Sequence, residues 1–353
     1  MNLGIVAITP RGADLARFIG RQFPEAEIFL PEKFRRDDTC RYFDVPLGDL
    51  LPELFAEADG LICIMATGIV IRLLAPHLRG KEHDPAVVVM DEAGQFAVSL
   101  LSGHLGGANE LAVRVALASG GQAVVTTATD VNDLPAWDDL ARREDLAIQP
   151  LSQIKIFNTL LLEKRPIGLV DRQNRVAPYF SEIPAVRLAR NFADPLLNEV
   201  SGKVFVTHRH IPDPESHEPL LLLRPRDLVV GIGCNRGTSA EEIEQVVKTV
   251  MEEAFLAPAS IRSLATVAAK WDEAGLEQFA QSRNLSIDFH SAEELNRVEG
   301  ISPPSPHALE AVGAKGVCEP AALLSARGGP LLVAKKKRGN VTVAVAEIGD
   351  GEG

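Results

Sequence analysis

The residues whose types and spacing best suit chemistry lie at positions 100–109, Leu-Leu-Ser-Gly-His-Leu-Gly-Gly-Ala-Asn. An apolar run at 96–100 leads in, and a helical pattern with Leu111, Ala112, Val115 and Ala118 on one face leads out. Glycine tolerates backbone angles and close approaches that other residues resist. A helix start presents unpaired N–H groups at the positive end of its dipole. Ser102, Gly103, His104, Gly106, Gly107 and Asn109 therefore read as a place to hold an oxyanion or carboxylate beside an imidazole. The spacing also suits an ordinary glycine-rich connection.

Two other apolar runs end in small residues. The run 60–65 meets Ala66-Thr67-Gly68, and the run 123–127 meets Thr126, Thr127 and Asp130. Ligands of open α/β sheets gather at strand C-terminal ends, so Thr67-Gly68, Ser102-Gly103 and Thr126 to Asp130 are expected to converge. Arg72 sits in an otherwise apolar helix pattern. Arg79, Lys81, His77 and His83 follow it as a solvated basic face or a carboxylate-binding rim.

The elements that must position these groups follow from periodicity. Residues 3–8 read as a buried strand, 9–12 as a turn, and 13–21 as a helix with Leu15, Phe18 and Ile19 inward. The runs 86–90 and 95–100 flank Asp91-Glu92-Ala93-Gly94 and read as a hairpin, which gives Asp91 and Glu92 a structural reason to be there. From 134 to 226 the signals weaken. Helices at 138–143 and 154–163 and short strands at 167–170, 204–207 and 220–223 are expected. His208, His210 and His217 read as exposed loop residues, since no helix spacing or cysteine supports a metal site. From Leu228 a fresh unit begins, with a strand running into Cys234-Asn235-Arg236-Gly237-Thr238-Ser239. Its third glycine falls one residue late for a dinucleotide fingerprint, but its helix start and Arg236 suit an anion. Capping boxes are expected at Ser239 and Ser291, and a closing hairpin across 338–340.

The fold class is therefore α/β, built as three-layer units. An N-terminal domain with a mostly parallel sheet is expected over 1–133, a middle linker or insert over 134–226, and a separate α/β domain over 227–353. The 353 residues suit two or three domains of roughly 150 residues. Net charge -12 argues against nonspecific DNA binding, and 5% aromatics against a stacking platform for single strands. Four scattered cysteines fit a reducing cytoplasm. No secretory signal and no apolar run of about 20 residues is read.

Together these segments resemble the CbiG-type proteins of cobalamin biosynthesis, over nearly the whole chain. The likeness rests on Met65-Ala66-Thr67-Gly68-Ile69-Val70, Asp84-Pro85-Ala86-Val87-Val88-Val89, residues 100–109 and Thr126-Thr127-Ala128-Thr129-Asp130-Val131-Asn132. Towards the other end it rests on residues 231–239, Ser291-Ala292-Glu293-Glu294-Leu295-Asn296 and Cys318-Glu319-Pro320-Ala321-Ala322-Leu323-Leu324. Near Lys270 the family pattern Asp-x-Lys-x-Asp-Glu is broken, because Ala268 replaces the first acid.

The resemblance implies a cytoplasmic cobalt-precorrin-5A hydrolase. It would open a ring-A δ-lactone and release the methyl-bearing bridging carbon as acetaldehyde. The cobalt travels with the anionic corrinoid substrate, so no cofactor or metal site of the protein's own is expected. For that chemistry His104 is the candidate base, Gly106 and Gly107 amides the oxyanion donors, and Asp91 or Asp130 the orienting or proton-shuttling acid. Arg72 and Arg236 would clamp carboxylates in one cleft, with Thr238 and Lys270 beside Arg236. Ser102 lacks a G-x-S-x-G elbow and is the weaker nucleophile. No nucleic acid or membrane partner is expected, and a homodimer or transient contact with neighbouring pathway enzymes is left open. The rival reading is a noncatalytic carrier of a corrinoid intermediate, because a relative of the C-terminal unit occurs alone in the aerobic pathway. A nucleotide-binding enzyme draws only on the glycine loops.

Overall fold

The computed structural model describes residues 2–80, 83–211, 218–304 and 306–349. Two compact units emerge. One comprises residues up to Arg143 together with Asn158–Arg165; the other comprises Glu144–Phe157 and the chain from Pro166 onward.

The first unit is a seven-stranded sheet between two layers of helix. Its strands are β1 (Leu3–Ala7), β2 (Ala26–Pro31), β3 (Arg41–Phe43), β4 (Gly60–Ile64), β5 (Ala86–Met90), β6 (Phe96–Leu101) and β7 (Gln122–Val124). They lie in the order β3-β2-β1-β4-β5-β6-β7. Period-two alternation sorts the core. Leu3, Ile5 and Ala7 pack on α1 (Pro10–Gly20) and α4 (Ala108–Ser119). Val6, Cys63 and Val89 pack towards α2 (Leu47–Glu57) and α3 (Thr67–Leu74). Two short helices, α5 (Ala128–Val131) and α6 (Trp137–Arg143), follow the sheet.

The helix α1 starts at Pro10 rather than near residue 13. Thr9 caps it by accepting the Gly12 amide at 3.0 Å, and Pro10 fits a first position that needs no N–H. Ile19 and, in part, Leu15 face inward as expected, with Ala13 and Ala16 beside them, but Phe18 is 48% exposed.

One reversal organises this unit. Strands β1, β2, β4 and β5 run in parallel, but β6 is antiparallel to β5, and β7 follows β6. The C-terminal ends of β4 and β6 therefore lie at opposite ends of the strands, on opposite rims of the sheet.

In the second unit, β8 (Leu146–Gln149), β9 (Ile167–Asp171), β10 (Val186–Leu188), β11 (Gly202–Val206) and β12 (Leu220–Pro225) form one sheet. The helix α7 (Gln153–Leu162) lies between β8 and β9 in the chain. Another sheet holds β13 (Leu228–Cys234), β14 (Ile261–Val267), β15 (Ser286–His290), β16 (Leu331–Arg338) and β17 (Val341–Glu347), in the order β15-β14-β13-β17-β16. Leu228, Val230 and Ile232 face α8 (Ala240–Glu253) and α9 (Ala274–Ser282). Val229, Ala265 and Val267 face α10 (Ala292–Arg297) and α12 (Cys318–Ser325), with α11 (Pro306–Val312) preceding α12. The chain is thus α/β with mostly parallel sheets.

The Ser291 capping box is complete. At Ser239 only half forms: its hydroxyl takes the Glu242 amide, while the Glu242 carboxylate accepts from the Asn340 amide in the β16–β17 turn. Among the described residues no helix is long and apolar enough to cross a membrane.

Candidate functional site

The Ser102–His104 loop sits at the C-terminal ends of β6 and β7 and is tightly folded. Ser102 holds a positive φ of 56°. A Cβ on Gly106 would lie 2.5 Å from Ser102 Cβ, so only glycine fits there. Ser102 Oγ is buried and makes no hydrogen bond among the described residues, which leaves it out of reach as a nucleophile.

His104 lies between two carboxylates. Its Nε2 is 2.7 Å from Asp130 Oδ2, and its Nδ1 is 3.4 Å from Asp138 Oδ1. Burial opposes a charged ring, but Asp138 and then Asp130 outweigh it and push the imidazole up to about 9. Both carboxyl groups are held below their ordinary value despite burial, Asp130 by Thr127 and His104, and Asp138 by His104 and Asn158. Asn109 extends the network: it accepts from Ser99 Oγ and donates to Thr127 Oγ1 and Asp130. Thr126 is exposed at the same rim. Both ring nitrogens therefore face carboxylate oxygens, an arrangement that favours the protonated ring over a free base.

Of the two amides expected to hold an oxyanion, that of Gly107 already has an acceptor within the loop. Gly107, Ala108 and Asn109 donate to the carbonyls of His104, Ser102 and Gly103. The loop thus meets three amides at the start of α4 with its own carbonyls.

The expected convergence with Thr67 does not occur. The rim carrying Thr67 and Asp91 is separated from Ser102 and His104 by the length of β5 and β6, roughly 13 Å at 3.3 Å per residue. Asp91 therefore cannot orient His104. Its two oxygens cap its own turn, accepting from Ala93 and Phe96 amides at 2.8 and 2.7 Å.

At the Thr67 rim there is an open cleft of about 500 Å³, lined by Thr9, Met65, Thr67, Ile69, Glu92 and Phe96 among others. The Ala66 N-cap of α3 supplies no side-chain hydrogen bond. The Thr67 and Gly68 amides, in its first turn, have no intrahelical acceptor. Glu92 was legible only as a turn residue, yet it lines this cleft. Thr9 Oγ1 donates to its Oε2 at 2.6 Å, leaving Oε1 without a hydrogen bond among the described residues. Arg72 is exposed and folds back on its own helix, donating to Gly68 O at 2.9 Å.

The basic rim at His77, Arg79 and His83 borders a smaller hollow. Its loop is braced by buried Asp84, which accepts the Arg79 and Gly80 amides. Lys81 and His217 lie outside the described residues. His208 is half-buried rather than exposed, with Nδ1 3.2 Å from Asp227 Oδ1 and 3.7 Å from Glu347 Oε1. These three groups are close enough to share a metal ion. Gln173 also donates to Glu347, and Arg175 lies 3.8 Å from Asp227, so protein donors already meet both acids. His210 is exposed.

In the second unit, Arg236 pairs with Asp272 at 3.2 Å and Lys270 with buried Glu273 at 2.9 Å. Thr238 is buried and donates to Asn235 O, a role within the turn.

These features define an α/β protein with open clefts at strand ends. Family models described as cobalamin synthesis G N-terminal, cobalamin biosynthesis central region and cobalamin synthesis G C-terminus match residues 49–130, 135–225 and 228–346. The chain is 35% identical to the cobalt-precorrin-5A hydrolase of Priestia megaterium, over 98% of this chain and 95% of that protein. It is 33% identical to the cobalt-precorrin-5A hydrolase of Salmonella typhimurium (strain LT2), over 98% of each. A protein CobE from Sinorhizobium sp. is 32% identical over 121 residues, 34% of this chain and 79% of that protein. The chain belongs to the cobalamin synthesis G (CbiG) family.

Proposed function

We propose that this chain is a cobalt-precorrin-5A hydrolase. The observation that carries the reading is the near-full-length likeness to two proteins so named. Water adds to the ring-A lactone carbonyl and the ring C–O bond breaks, leaving a hydroxyl on the methyl-bearing carbon. Loss of that hydroxyl proton breaks the carbon–carbon bond to the macrocycle. Acetaldehyde leaves, and the macrocycle takes the electron pair and a proton. Cobalt enters and leaves with the substrate.

The chain's own groups for this work gather at the Thr67 rim. Thr67 and Gly68 amides at the uncapped start of α3 suit the developing oxyanion. Glu92, steadied by Thr9, is the candidate acid–base group, against apolar walls that strengthen charge interactions. His104 acts as a cationic pin that positions Asp130 and the loop around it.

Purified protein incubated with cobalt-precorrin-5A is expected to release acetaldehyde, trapped as a hydrazone. Glu92→Gln is expected to lower turnover by about 10²–10⁴-fold. No acetaldehyde from the wild-type chain would end the hydrolase reading. Wild-type turnover by Glu92→Gln would remove Glu92 and leave that reading standing.

A further inference from the structure

The second unit carries a cleft that the proposed chemistry does not use. Its volume is about 470 Å³, within the range of small-ligand sites. Val267, Val312 and Val317 contribute apolar walls. Arg236, Lys270, Lys335 and Lys337 also line it, and among the described residues no carboxylate does. Two of these cations are already answered, Arg236 by Asp272 and Lys270 by Glu273. Lys335 and Lys337 make no ion pair within 4 Å among the described residues. Both stand on β16, whose next residue, Arg338, reaches Glu253 instead.

The local sign opposes that of the whole chain, whose net charge is -12. Concentrating cations in a cleft with apolar walls focuses their field on whatever enters. The fold also takes pains to hold this wall. Glu319, buried beneath it, accepts the Lys335 backbone amide at 2.8 Å and the Ser302 amide and hydroxyl. The thiols in the wall, Cys234 and Cys318, are raised by burial, Cys318 to about 11, so they remain neutral and leave the charge to the lysines.

We infer that this cleft binds the edge of an apolar macrocycle bearing carboxylate arms, with Lys335 and Lys337 taking the carboxylates. This rests on the corrinoid reading above and adds a second contact region for the same substrate class. Exposed Trp271, adjacent to Lys270, offers a reporter; the other tryptophan, Trp137, is fully buried in the first unit.

The test uses the full-length protein and two probes. Cobyrinic acid is a corrinoid with free peripheral carboxylates, and cobinamide is its amidated counterpart. Equilibrium dialysis is expected to show cobyrinic acid binding that weakens with added salt. Lys335→Ala/Lys337→Ala should weaken it at least about tenfold, as loss of charged hydrogen bonds predicts. Lys335→Arg/Lys337→Arg should retain most of it, and the single exposed Lys337→Ala should weaken it without disturbing the fold. Cobinamide binding as tightly as cobyrinic acid, or wild-type affinity in the double alanine variant, overturns the inference. Lysine-dependent binding of cobyrinic acid without acetaldehyde release from cobalt-precorrin-5A supports the cleft while ending the hydrolase reading. Acetaldehyde release with unchanged KM and unchanged cobyrinic acid affinity in the double alanine variant overturns the cleft alone.

Discussion

At His104 the decisive quantity is proton affinity. The folded ring is raised from 6.5 to about 9, so folding binds its proton more tightly. A raised histidine contributes stability that is complete below the unfolded value, about pH 6.5, and lost as pH climbs through about 9. Asp130 and Asp138 are lowered, so their contribution is present above the ordinary aspartate value and lost on acidification below it. The cluster therefore stabilises most between about pH 5 and 6.5. His104→Ala should cost about 1–3 kcal/mol at pH 6 by removing the charged group that both Asp130 and buried Asp138 face. Thermal melts should show that deficit shrinking by pH 9.5, whereas a pH-independent deficit would reduce His104 to packing. Asp130 was legible as a partner because it follows the strand end of β7 at the same rim. Asp138 was not, because it lies in a short helix after the clear periodicity stops.

At the scale of elements, the misplaced Thr67 has an identifiable cause. The hairpin of β5 and β6 was readable from its Asp91–Gly94 turn. A hairpin reverses the chain, so the strand end at Ser102 had to face away from the strand end at Thr67. Alternation and turn chemistry carried the elements, while the consequence for the rims needed the sheet order. The short strands β8 and β10 were missed because four and three residues carry too little periodicity to register. The two glycines that imitated a dinucleotide fingerprint are explained by packing. A Cβ on Gly231 would lie 1.8 Å from the Cys318 carbonyl oxygen of α12, a backbone atom. On Gly233 it would meet Thr342 Oγ1 at 2.6 Å, a side-chain atom that can rotate away. Gly231→Ala should therefore lower stability by at least about 1–3 kcal/mol, the usual cost of overpacking, and by more than Gly233→Ala. Urea midpoints at matched slope would check this, and an equal or smaller loss at Gly231 would contradict the packing account.

For the whole molecule, the question is which parts stand alone. The sheet β15-β14-β13-β17-β16 draws every strand from residues 228–347, and both of its cores use only residues from Leu228 onward. Such a segment carries what an independent domain needs. Yet contacts group it with the middle sheet in one compact unit. The ties are specific: Asp227 meets His208 and Arg175, and Glu347 accepts from Gln173. Backbone bonds from His210 to the Phe255 carbonyl and from Ala257 to the His208 carbonyl join them, and Asp227 is buried, so these ties add to a core that is otherwise complete. We therefore predict that a fragment of residues 227–353 unfolds cooperatively, at a lower temperature than the same segment in the full chain. Removing the middle sheet takes away the His208 and Arg175 partners of Asp227 and the backbone bonds to Phe255 and Ala257, which sets the direction of the shift. Calorimetry on the fragment, with limited proteolysis beside it, would decide. A broad, noncooperative melt with rapid cleavage throughout would show that the middle sheet is required for the C-terminal fold. A melt at the full-chain temperature would show that His208 and Arg175 contribute nothing to its stability.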